Sequence, residues 1–150
     1  MSVVAKIGAP SSSAHTPPLV GVSLASRIPT PEHMLSAVAG EEITAGDALY
    51  MFGFDALTGQ VVVKKSAKTN PVHWFAIEHG FTGGAISCVK NVRLGYAAAG
   101  TFASPGIPLY VDGTTPGALN TVPATGGNPA VAQSVTDSVI EVFGNIPAGV

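Results

Sequence analysis

Cys88 is the only thiol in the sequence, and as a nucleophile it would need a base held beside it by a third group. It alternates with Ile86 in an apolar run, which is the pattern of a thiol packed as a small hydrophobe. No G-x-S-x-G elbow offers a serine in its place. His73 and His79 flank Trp74 six positions apart, so an unbroken strand would carry both on one face, but Gly80 argues against such a strand. There is no Cys-x-x-Cys or His-x-x-x-His pair, and no metal site is predicted.

Glu41, Glu42 and Asp47 are near enough in sequence to pair as acid and base or to bind calcium, yet they read as solvent-facing charge at a turn. The glycines Gly80, Gly83 and Gly84 are followed by no Lys-Ser/Thr pair, so they do not form a phosphate-cradling loop. Lys64, Lys65 and Lys68 are the one basic cluster, and without interleaved aromatics they read as a charged guard on an exposed strand end. Trp74, Phe75 and Phe81 could form a sugar-stacking platform, although core filling is the favoured use. No catalytic constellation emerges, and the sequence predicts a non-enzymatic protein without a cofactor.

The elements that must position these residues are repeated. Residues 39–51, AGEEITAGDALYM, return sixty positions later as 99–111, AGTFASPGIPLYV, with Ala39, Gly40, Gly46, Leu49 and Tyr50 matched by Ala99, Gly100, Gly106, Leu109 and Tyr110. Chance gives roughly one identity in thirteen positions. Past each Leu-Tyr comes a turn, then GQVVV or GALNTV, then a short apolar run (Trp74 aligned with Ala130), then a closing strand (Cys88 aligned with Val142). Comparing copies favours structural roles for Trp74, Glu41, Glu42 and Cys88, because the second unit does without them.

Eighteen Gly and twelve Pro punctuate runs of four to seven residues rich in Val, Ile, Thr and Tyr, which describes short strands and turns. The expected strands are 36–43, 48–52, 60–64, 72–77 and 85–90 in the first unit, 92–96 as a bridge, and 101–102, 107–111, 119–122, 130–133 and 139–143 in the second. Thr30-Pro31-Glu32 reads as the start of one short helix ending by about Leu35. The fold class is therefore all-β with very little helix: a compact small barrel, tulip-like domain or pair of packed sheets over residues 36–150, with the internal repeat at 39–91 and 99–145.

Residues 1–35 differ from the rest. Positions 1–30 hold no acidic residue, four prolines and a run of three serines, and read as an extended N-terminal arm. Two of its segments are strand-capable: residues 2–7, with Val3, Val4 and Ile7, and residues 19–24, with Val20, Val22 and Leu24 alternating onto one side. Such an arm is suited to adding strands to a partner's sheet edge. Charged residues are only 11% of the chain, less than half the usual share, so part of the surface is expected to be covered by a partner. The net charge of −2 favours neither nucleic acid nor an anionic membrane, and Gly and Pro break the most apolar stretch, 94–111.

An arm carrying A-H-T-P-P at 14–18, followed by A-G-x-x-I-x-A-G-D-A-L-Y, G-x-V-V-V and F-A-I-x-x-G, resembles the capsid decoration (cement) proteins of tailed bacteriophages, in particular the lambda-type head decoration family. The resemblance implies a structural virion protein on the exterior of the expanded capsid, made in the host cytoplasm. It would bind the major capsid protein and stabilise contacts between its subunits as a homo-oligomer, a trimer before a dimer. Val3, Val4, Ile7, His15, Val20, Val22 and Leu24 would make the capsid contact. Other readings are a head fibre base, a tail component or a carbohydrate-binding β module using Trp74.

Overall fold

The alternation of buried and exposed residues resolves into eleven strands in a computed structural model, which describes Val4, residues 21–22 and residues 33–144. They are β1 (Gly21–Val22), β2 (Met34–Ala39), β3 (Ala48–Phe54), β4 (Val61–Lys65), β5 (Trp74–Ala76), β6 (Ala85–Val89), β7 (Val92–Gly95), β8 (Pro108–Val111), β9 (Leu119–Asn120), β10 (Ala132–Ser134) and β11 (Val139–Val142). The described residues contain no α-helix. The expected helix start at 30–32 lies outside them, and Met34 and Leu35 open β2 instead, because Leu35 pairs with Cys88 across the sheet. Residues 101–102, expected as a strand, belong to none.

The first unit closes into a five-stranded barrel in the order β2-β4-β3-β5-β6. Its interior is filled by Ala37, Ala39, Ile43, Leu49, Val63, Trp74, Ala76, Ile86 and Cys88. The three alanines and the cysteine leave room for the Trp74 indole, as so narrow a barrel requires. The second sheet runs β1-β7-β11-β10-β8-β9. Phe75, Ala48 and Val89 face away from the barrel lumen and join Leu94, Tyr96, Leu109, Leu119, Val131 and Ile140 in a second core between the units. β5 is thus buried on both faces.

The duplication is explicit in the pairing. β7, β8, β9, β10 and β11 repeat the antiparallel neighbours of β2, β3, β4, β5 and β6. Gly46 and Gly106 both take positive φ, 91° and 82°. Their N–H groups donate to Ala76 and Ser134 at 2.7 and 2.8 Å, at equivalent places on β5 and β10. That left-handed conformation is why glycine recurs there. The register corrects two of the sequence alignments. Leu35 opposite Cys88 matches Leu94 opposite Ile140, and Leu49 opposite Trp74 matches Leu109 opposite Ala132. The counterparts of Cys88 and Trp74 are therefore Ile140 and Ala132, each two residues from the expected position. A slip of two keeps every side chain on its own face, so the hydrophobic pattern does not detect it.

The units differ in how the seam closes. In the first, β2 pairs in parallel with β4, and the Gly40 N–H donates to the Val63 carbonyl at 2.9 Å. Among the described residues β7 and β9 do not pair. The Val4 N–H instead donates at 3.0 Å to the carbonyl of Leu119, the counterpart of Val63, and β1 pairs with the free edge of β7. The N-terminal segment therefore supplies both edges of the second unit with the partners that the first unit finds within itself.

Candidate interaction surface

The side chains with chemical potential are mostly built into this frame. Cys88 is buried in the barrel, and burial, helped by Glu78, pushes its thiol up to about 12, so it stays protonated and unreactive. The His73 Nδ1 accepts the Met51 N–H at 2.9 Å, which puts the neutral ring's proton on Nε2. Burial and then Lys90 lower its pKa, favouring that neutral form. His79 stacks edge-on against Phe81 at 4.5 Å, with its Nε2 3.5 Å from Glu42. The two histidines thus serve separate surroundings. Trp74 lies in the barrel core with Lys90 Nζ 4.6 Å above its ring, which leaves no face on which a sugar could stack.

Of the acidic residues expected as surface charge, Glu42 is exposed, but Asp47 is buried and Glu41 half-buried. Both have backbone work. Asp47 accepts the Thr44 N–H at 2.8 Å and Glu41 the Lys65 N–H at 2.8 Å, so each carboxylate satisfies a donor that a turn or strand end leaves open. Lys64 and Lys65 form the end of β4, past its pairing with β2 at Val62 and Val63 but paired with β3, and Lys68 lies beyond the strand. Lys64 Nζ sits 3.9 Å over the Phe52 ring. Among the described residues no group of His, Cys, Asp and Glu is arranged to hold a metal, and no helix is long and apolar enough to cross a membrane. Tyr96 is fully buried, and burial followed by Asp47 raises its pKa.

Of the residues expected to contact a partner, Val3, Ile7, His15, Val20 and Leu24 lie outside the described residues. Val4 and Val22 are placed within the chain's own fold. Val4 is 8% exposed and belongs to the inter-unit core, and Val22 pairs with Leu94 in β1. An arm with no share in the core does not describe Val4: its side chain joins the inter-unit core and its N–H pairs with the β9 edge, where the sister unit uses its own chain at the end of β2.

The β3–β4 hairpin was missed as a surface. Met51, Phe52, Phe54 and Leu57 are 44, 56, 81 and 95% exposed. Tyr50 and its cross-strand partner Lys64 are fourteen positions apart, whereas the equivalent Tyr110 and Asn120 are ten apart. In the shorter hairpin Asp112 stops the strand at once. Its Oδ2 accepts the Thr114 and Thr115 N–H groups and the Thr114 hydroxyl, and its Oδ1 accepts the Asn120 amide at 2.7 Å. In the longer one Asp55 makes the like turn with Thr58 three residues later, after Phe52, Gly53 and Phe54. Aligning the copies at Tyr50 and Tyr110 and comparing hairpin lengths would have exposed this insertion.

Compared with known proteins, the chain matches no family model and no curated protein.

Proposed function

We propose that the protein is a structural virion component that binds the outer surface of an expanded phage capsid and braces contacts between major capsid subunits. The observation that carries this reading is the conduct of the N-terminal segment, which donates backbone to sheet edges at two places: Val4 to β9 and Gly21–Val22 to β7. A segment that pairs with edges in its own domain has the composition to extend the same pairing to a neighbouring sheet. The sparse charge of the chain and the resemblance of its arm and repeat motifs to decoration proteins support the same reading. With Val4 and Val22 engaged internally, the capsid contact falls to Val3, Ile7, His15, Val20 and Leu24.

The test is binding of the purified chain to expanded capsids that lack it, read by co-sedimentation and by the temperature at which the shells break. Removing the whole arm would also strip Val4 and β1 from the fold. The informative variant therefore replaces Val3, Ile7, His15, Val20 and Leu24 together with serine, leaving Val4 and Gly21–Val22 in place. Loss of binding with the melting temperature retained is the expected result. Equal binding by the variant would show that the arm is not the contact.

A further inference from the structure

We infer that the β3–β4 hairpin is a self-association element, through which two copies of this chain pair edge to edge along β3 across a twofold axis. Four observations lead there. First, the projecting part of the hairpin is not needed for the unit's own fold, since the sister unit closes the equivalent turn four positions shorter. Second, it leaves a free strand edge. β5 pairs with β3 only at Ala48 and Leu49, and the Met51 N–H is taken by His73, so among the described residues Gly53 and Phe54 have β4 as their only ladder neighbour and Phe52, at the bulge, has no ladder partner.

Third, that edge lacks most of the devices that keep monomers apart. β3 from Ala48 to Phe54 contains no charged residue and no proline, and the devices present are the bulge between Met51 and Gly53 and the Lys64 ammonium over the Phe52 ring, which leave Phe54 unguarded. Fourth, the apolar area suffices. With about 200 Å² for a fully exposed Phe, and somewhat less for Leu and Met, the exposed fractions of Met51, Phe52, Phe54 and Leu57 leave roughly 500 Å² per copy. Covered completely and doubled across a twofold contact, this would be about 1,000 Å², the lower bound for a specific interface. An isologous contact closes on itself, so it ends in a dimer rather than a fibre. A second copy fits better than a lipid surface, because backbone N–H and C=O groups on the edge need partners that acyl chains do not offer.

The experiment is the solution mass of the full chain by sedimentation equilibrium over a concentration series, for the wild type and for Phe54→Lys. A charge at that position blocks edge pairing without touching either core. The wild type is expected at twice the 15.0 kDa chain mass and Phe54→Lys at the chain mass, with unchanged far-UV circular dichroism. Leu57→Ser, at the hairpin tip, should weaken the dimer while leaving the melting temperature of the monomer unchanged. A monomeric wild type, a trimer, or a dimer that survives Phe54→Lys would each overturn the inference.

Discussion

Deleting residues 1–4 should destabilise the folded domain, although these residues look like the free end of an arm. Val4 is buried in the core between the units and its N–H completes the β9 edge at Leu119. Burying a valine side chain contributes about 2 kcal/mol, and a backbone hydrogen bond on a sheet edge about 1 kcal/mol more. In a 150-residue domain each kcal/mol shifts the melting temperature by roughly 2–4 °C. The truncated chain should therefore melt about 6–12 °C below the full chain. Val4→Ala, which keeps the hydrogen bond and loses two methyl groups, should account for about 1.5 kcal/mol of this. Calorimetry or thermal circular dichroism on the three proteins measures it. A truncated chain that melts with the wild type would refute the placement of Val4 and return it to the list of partner contacts.

Three further outcomes follow from named residues. Gly106→Ala should cost about 1–2 kcal/mol in urea unfolding; an added Cβ there meets nothing within 4 Å, so the loss comes from the positive φ alone. Asp112 is held down to about 2, first by the Asn120 amide and then by the turn N–H groups, which outweigh desolvation. Its folded pKa lies below its unfolded one, so its contribution, about 1–2 kcal/mol after screening, is present above pH 4 and lost as the pH falls toward 2. Asp112→Asn should flatten the stability curve in that window; an unchanged acid limb would show that the turn network is not what holds the carboxylate. Cys88 should resist a thiol reagent in the native protein and react fully in denaturant, and fast native labelling would contradict its burial in the barrel.

Much of the fold was legible because it is written twice. Gly46 and Gly106, with the Leu-Tyr pairs behind them, fix where β3 and β8 begin, and the alternation in β11 reads directly as one buried face. Four things escaped the sequence, each for a physical reason. The register of Cys88 and Trp74 against the second unit is invisible to a pattern of period two. Asp47 lies buried because a turn needs its carboxylate for the Thr44 N–H, whereas charge alone suggested solvent. The roles of Val4 and of Gly21–Val22 are non-local. Nothing within residues 1–35 reveals that the second unit lacks a closing β7–β9 pair, so that its edges accept the N-terminal segment instead. The projecting hairpin was hidden by an apolar run, Leu-Tyr-Met-Phe, that reads like a core strand until its partner residues are known.

We have proposed that this chain binds the outside of a capsid. The measurement that tests it most directly is electron cryomicroscopy of expanded capsids lacking the protein, imaged before and after adding the purified full chain. New density repeating on the outer capsid lattice, with a β-rich body and an N-terminal segment reaching adjacent coat subunits, is the predicted result. Density confined to a vertex or tail, or shells left bare at saturating protein, would contradict it.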